Sequence, residues 1–386
     1  MTGSLYVARR VRGSTELVNS PRLPMVESAH YPAGVPATTP YLAVDVARVR
    51  RNLGRAAERA AASGVSLRPH AKTHKSPELA WLQLQAGAVG VTVATIGEAE
   101  VFARHRVDDI LIAYPLWVDR RAADRLRDLM TRARVIVGTD SVPGAAALGR
   151  FLGHTPLEVL VEVDSGHHRT GCPPEDAGEI AAAAHRAGVD VRGAFTFPGH
   201  SYTPDALRTA AEDERRALAV AADSLRAAGI EPRVVSGGST PSLEASLDDP
   251  GPLPELRPGV YAVGDAQQWE LGTMAPEELA LTCRTTVVSN AGGRAVVDAG
   301  SKILGADRAP YSSGFGRVPE REEARIVMLS EHHAVIDWAG TPPPPGTVID
   351  IVPNHACNAV NLVDTLYVDH AGDVREWPVA ARGHNS

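Results

Sequence analysis

At 386 residues, with 44% hydrophobic and 22% charged side chains, the chain has the composition of an ordinary soluble globular protein with room for one large and one smaller domain. A formal charge of −7 without any long basic block argues against a nucleic-acid-binding surface, and no run approaches the ~18 apolar residues that span a bilayer. Three cysteines, Cys172, Cys283 and Cys357, form no regular framework, so a reducing cytoplasm is the expected compartment.

Residues 1–37 read as an N-terminal arm. Arg9, Arg10 and Arg12 have no apolar core after them, which argues against a secretory signal, and Pro21, Pro24, Pro32 and Pro36 interrupt any regular element. From about residue 40, short β-rich runs alternate with Ala/Arg/Leu-rich stretches. Strands are expected at 66–70, 90–94, 110–114, 134–138, 158–164, 193–197 and 233–236. Helices, with apolar residues three and four apart, are expected at 45–62, 98–105, 119–131, 174–187 and 204–228. That order requires a parallel sheet, and an eighth strand near 257–260 completes a closed (β/α)8 barrel of the TIM type over 38–264. An open doubly wound sheet is the alternative, but no G-x-G-x-x-G follows the first strand. Beyond residue 265 the runs at 279–289, 295–298, 324–329, 333–337 and 348–352 are short and β-branched, with turn clusters at 290–293 and 342–346. Residues 265–386 therefore read as a C-terminal antiparallel β-domain.

Polar clusters fall where the barrel strands end, which is where such barrels carry active sites. After the first strand comes Pro69-His70-Ala71-Lys72-Thr73-His74-Lys75. An amine at the mouth of a strand, flanked by imidazoles, suits a Schiff-base lysine; a solvated basic loop is the plainer alternative. The fifth strand runs into Asp164-Ser165-Gly166-His167-His168-Arg169-Thr170-Gly171, readable also as a loop held by pairing of Asp164 with Arg169. The sixth is followed by Thr196-Phe197-Pro198-Gly199-His200-Ser201-Tyr202, whose hydroxyl, imidazole and phenol suit a polar aromatic ring or an ordinary turn. After the seventh, the glycines of Ser236-Gly237-Gly238-Ser239-Thr240 let backbone N–H groups approach an anion, although most such runs are flexible turns. Near the C-terminus, Pro353-Asn354-His355-Ala356-Cys357 places an imidazole and a thiol two residues apart. On an extended backbone both would point to one face and could hold a zinc ion with positions left for water or substrate; a buried cysteine beside a surface histidine is the alternative.

These segments together resemble the D-threonine aldolase/D-serine dehydratase family of pyridoxal-phosphate enzymes, with the alanine-racemase-like fold, over roughly residues 38–380. In that family the first lysine of PHxKTHK holds the cofactor, which implies Lys72, with His70 among the cofactor contacts. The DSGxxRTG match implies that Arg169 lies against the pyridoxal phenolate oxygen. Thr196 and Tyr202 would flank the ring, and Gly237, Gly238 and Ser239 would cup the phosphate. PNHxCxxVNL resembles the metal-binding segment of the D-serine dehydratase branch and implies a divalent metal, zinc or else manganese, on His355 and Cys357. Aldolases of the family typically carry aspartate in place of that cysteine, which favours dehydration here. Matches at 257–261, 264–268 and 298–302 imply barrel closure and a substrate wall shared across a homodimer. One departure is Ser330-Glu331-His332-His333-Ala334, where relatives show SEEHG near the substrate.

The implied activity is dehydration of D-serine or a D-3-hydroxy amino acid to a 2-oxo acid and ammonia. Retro-aldol cleavage to glycine and an aldehyde is the alternative. Racemisation would leave the metal pair idle, and a non-catalytic pyridoxal-phosphate carrier would stop after the barrel. A metallohydrolase barrel would need an H-x-H or H-E-x-x-H that the chain lacks.

Overall fold

The computed structural model describes Pro36 and residues 38–386; the rest of the N-terminal arm lies outside the described residues. Strand β1 (Tyr41–Asp45) leads directly into helix α1 (Val46–Ala62), which Asp45 caps by accepting the Arg48 N–H at 2.9 Å. Val49, Leu53, Ala56 and Ala60 recur at three- and four-residue steps along α1 and are buried, as the periodicity predicts. Eight short parallel strands follow: β2 (Ser66–Leu67), β3 (Val91–Val93), β4 (Asp109–Pro115), β5 (Arg134–Thr139), β6 (Glu158–Glu162), β7 (Asp190–Phe195), β8 (Val234–Gly237) and β9 (Glu255–Leu256). Between them run α2 (Pro77–Gln85), α3 (Ile96–Arg104), α4 (Arg120–Met130), α5 (Val142–Leu152), α6 (Ala177–Arg186), α7 (Leu207–Ala227) and α8 (Leu243–Asp248).

The strand order β2-β9-β8-β7-β6-β5-β4-β3 follows the chain round a ring, and a single bridge from His70 to Thr92 joins its two ends. Leu111, Ile136, Leu160 and Phe195 form a buried cluster of their own, apart from the larger core. The ring is therefore a packed barrel, with its thinnest seam beside the lysine turn. Two expected strands depart furthest from the sequence reading. β2 stops before Pro69, which has no N–H to donate to a ladder. The eighth strand is Glu255–Leu256, just ahead of the expected 257–260: Pro258 again cannot donate, and Val260–Ala262 turns instead into a 3-10 helix.

After α9 (Ala266–Glu270) comes the second sheet: β10 (Leu281–Ser289), β11 (Ala295–Val297), β12 (Gly316–Val318), β13 (Arg321–Leu329), β14 (Ala334–Asp337), β15 (Val348–Pro353), β16 (Thr365–His370) and β17 (Asp373–Pro378). Helices α10 (Ser301–Leu304) and α11 (Ala356–Val360) interrupt it. Its order is β11-β14-β13-β12-β15-β10-β1-β16-β17, so the first strand of the chain lies inside the C-terminal sheet, parallel to β16 and antiparallel to β10. Among the described residues no helix is long and apolar enough to cross a membrane.

The barrel floor carries a buried ionic cluster. Arg68 donates to Glu255 at 2.8 Å and to Asp109 at 2.5 Å, with its side chain only 4% exposed. Gly90 makes the room, since a Cβ there would collide with the guanidinium. Arg68→Met would leave Glu255 buried without its cation, and we expect it to cost about 3–5 kcal/mol of stability. Urea unfolding checks this; an unchanged midpoint would refute it.

Candidate active site

The mouth of the barrel opens into a cavity of about 440 Å³ that is lined by residues from both halves of the chain. His70, Lys72 and Thr73 enter it from the turn after β2. His167 comes from the loop after β6, and Phe197 and Tyr202 from the loop after β7. Ser239 and Thr240 follow β8, Arg257, Gly259 and Val260 follow β9, and His355 and Cys357 come from the start of α11, after β15.

The lysine turn is a 3-10 helix, Ala71–Thr73, capped by His70, whose Nδ1 accepts the Lys72 N–H at 3.4 Å. That leaves Nε2 as the protonated ring nitrogen. Burial first, then the cations Lys72, Arg257 and Arg169, push His70 well below its ordinary range, so it is neutral. Burial also depresses the Lys72 ammonium, helped by Arg169 and Arg257 and opposed by Cys357 and Glu98. A larger share of this amine is therefore free near neutral pH than for an ordinary lysine.

The two lysines of the motif are physically unlike. Lys75 Nζ lies 3.1 Å from Glu98 and donates to Asn361 at 2.9 Å, a buried and fully engaged ammonium. His74 is likewise structural: its ring meets Gln83 at 3.2 Å and accepts the Ser76 N–H, and burial lowers it to about 4. Of the four basic side chains expected at this strand mouth, only His70 and Lys72 reach the cavity.

At the opposite wall, the expectation for His355 and Cys357 needs correcting in its geometry. They do not sit on one extended strand: His355 is the extended N-cap of α11, and Cys357 lies in the helix's first turn. The helical turn nonetheless brings imidazole and thiol into hydrogen-bonding contact. Burial opposes charge on both. It is outweighed by their mutual attraction, by Asp307 for the imidazole and by Lys72 and Thr73 for the thiol, so His355 is raised and Cys357 lowered. Asp307 Oδ2 holds His355 Nδ1 at 2.8 Å and leaves Nε2 for the thiolate side. Cys357 Sγ also meets Thr73 Oγ1 at 3.4 Å.

This donor set suits a metal. A thiolate and an imidazole already converge, and a carboxylate orients the imidazole from behind, as in many zinc sites. Among the described residues no group of three or more His, Cys, Asp or Glu side chains is arranged to hold an ion. The pair would therefore leave coordination positions for other ligands.

The remaining expected residues divide. Tyr202 and Ser239 line the cavity. Thr196 does not: its hydroxyl is buried and donates to the Val163 carbonyl at 2.6 Å. Arg169 is exposed at the rim, its guanidinium 5.1 Å from the centre of the Phe197 ring, and Asp164 pairs with His168 in its place. Gly237 and Gly238 lie behind the wall, and the Gly238 N–H points to the Glu214 carboxylate at 2.5 Å instead of into the cavity. The polar groups that line this end are Ser239, whose hydroxyl meets those of Ser201 and Ser242, and Thr240, whose hydroxyl accepts the Tyr261 N–H. Arg257 is a wall residue to which sequence reading assigned no role of its own; it is 5% exposed and donates to Ser236 and to the Thr196 carbonyl. Asp307 went unnoticed because it lies 48 residues before its histidine, with no local signal. His332 is exposed.

Residues 44–267 match the family model described as alanine racemase, N-terminal domain, and residues 280–369 match that of a putative serine dehydratase domain. The D-threo-3-hydroxyaspartate dehydratase of Delftia sp. is 38% identical over 349 residues, covering 83% of this chain and 90% of that protein. Its solved structure is similar with a TM-score of 0.81 at 33% identity, over 88% of this chain and 97% of the other. A cysteine-to-alanine variant of that dehydratase is known in a metal-free form. The 3-hydroxy-D-aspartate aldolase of Paracoccus denitrificans is 32% identical over 366 residues, covering 89% of this chain and 92% of the relative. The D-threonine aldolase of Filomicrobium marinum also gives a TM-score of 0.81, at 32% identity, over 90% of this chain and 96% of the other.

Proposed function

The chain belongs to the alanine racemase-like family that carries a C-terminal serine dehydratase domain, and from that premise we propose that it is a pyridoxal-phosphate- and divalent-metal-dependent lyase of β-hydroxy D-amino acids. Its reaction is dehydration of D-serine or a D-3-hydroxy amino acid to a 2-oxo acid and ammonia. The observation that carries this reading is that Lys72 and the His355/Cys357 pair line the same cavity.

Pyridoxal phosphate, when bound, supplies an electron sink for the bond broken at the substrate Cα. Lys72 would hold it, and its amine, with the ammonium depressed by burial, is suited to take the Cα proton. His70, neutral and fixed by its bond to the Lys72 N–H, donates from Nε2. Ser239, Thr240 and the Val260 turn bind the phosphate. His355 and Cys357 would hold a divalent ion, which would supply Lewis acidity toward the β-hydroxyl. The soft thiolate favours zinc. Asp307 fixes the imidazole ring.

A second reading, retro-aldol cleavage, draws support from the equal structural likeness to a D-threonine aldolase. The two readings differ in which bond at Cα breaks. Incubation with D-serine, D-threonine and D-threo-3-hydroxyaspartate, with and without chelator, distinguishes them. We expect 2-oxo acid and ammonia to dominate and chelator to suppress both; glycine as the main product would reverse the choice.

A further inference from the structure

Glu214 lies on α7 with no exposed surface, directly behind the turn at 237–240. Its Oε1 accepts the Gly238 N–H, and its Oε2 is buried as well. A Cβ at Gly237 would collide with the same carboxylate, so no side chain separates it from the turn. Few groups face it. Ser246 on α8 presents its hydroxyl to the carboxylate, and Arg257 acts from beyond β9. Among the described residues Glu214 is in no ion pair, and burial pushes it up to about 7, against the pull of the Gly238 N–H, Arg257 and the Ser246 hydroxyl.

On the other face of this turn, Ser239 and Thr240 line the cavity. An anion seated there would face a carboxylate through one thickness of backbone. Two like charges a few ångströms apart inside a protein disfavour each other by about one pKa unit or more. An anion cup with a fixed negative charge behind it would bind poorly, and a proton on Oε2 removes that charge. That proton can be donated to Ser246 Oγ.

We propose that Glu214 couples the anion site to protons: a phosphate monoester dianion binds at 239–240 together with one proton taken from solvent onto the Glu214 carboxylate. This rests on the reading of 239–240 and the Val260 turn as the phosphate subsite. The sign follows from linkage. Affinity is highest where Glu214 is already neutral and falls as rising pH ionises it in the free protein.

The test uses pyridoxine 5′-phosphate, an alcohol that cannot condense with Lys72, titrated into the wild type and Glu214→Gln from pH 6.5 to 9. Glutamine keeps an oxygen for the Gly238 N–H and a donor for Ser246, without a titrating proton. We expect similar affinities at pH 6.5 and, at pH 9, at least about tenfold tighter binding by the variant. Calorimetry of the wild type at pH 8, in buffers of different ionisation enthalpy, should read an uptake of about half a proton or more. Parallel affinity profiles for the two proteins overturn the proposal. If the variant does not fold, the wild-type proton count decides, and a value near zero overturns it as well. No binding by either protein at any pH overturns the phosphate-subsite reading, and the coupling falls with it.

Discussion

Lys72→Ala is expected to abolish turnover, by at least about 10³-fold, and to leave no pyridoxyl label after borohydride treatment of the reconstituted protein. The informative control is Lys75→Ala. Both residues are lysines in one short motif, and a general loss of basic charge would affect the two variants alike. Their surroundings predict opposite outcomes. Lys72 makes no ion pair among the described residues, lines the cavity and is depressed by burial. Lys75 neutralises Glu98, which is 2% exposed, and also bonds Asn361 and Asn385. Its removal strands a buried carboxylate and should cost about 3–5 kcal/mol of stability, while the label still forms on the peptide that contains Lys72. A label on Lys75, or none on either lysine in the wild type, would overturn the proposed chemistry.

Loss of the metal pair should separate catalysis from cofactor binding. Cys357→Ala is expected to lower turnover by about 10³-fold, as several kcal/mol of help to the departing hydroxyl disappear. Pyridoxal phosphate occupancy, read from its visible absorbance, should stay near the wild-type level, because the phosphate and lysine contacts lie on other elements. Asp307→Asn should weaken metal affinity by about 10–100-fold, since the carboxylate orients the imidazole but is not itself expected to ligate. Excess metal would then restore much of the activity of the Asp307 variant and none of the Cys357 variant. Full activity of Cys357→Ala in the presence of chelator would refute a metal on this pair.

Much of this architecture is legible locally. The alternation of apolar strands with helices of three- and four-residue periodicity specifies a barrel, because each period reports which face of an element is buried. The strand limits were least legible at Pro69 and Pro258, where a missing N–H ends a ladder early. The His-x-Cys spacing marks two side chains that the structure brings together, through a helix cap and not a strand. Thr196 and Arg169 show the opposite case. Their motifs stand at the correct strand ends, yet one hydroxyl is consumed by a neighbouring carbonyl and the guanidinium stacks at the rim.

From the sequence by itself follow the barrel, the β-domain, the lysine turn and the candidate metal pair, since each is written in residues close together along the chain. Tertiary structure alone distinguishes Lys72 from Lys75, supplies Asp307 to His355 and sets Glu214 behind the glycine turn. These depend on contacts spanning 23 to 48 residues or on partners from the far end of the chain, such as Asn361. The physical reason is that charge, burial and proton affinity belong to a surrounding volume. Closure of the barrel and docking of the second sheet assemble that volume from segments that carry no trace of one another in their local pattern.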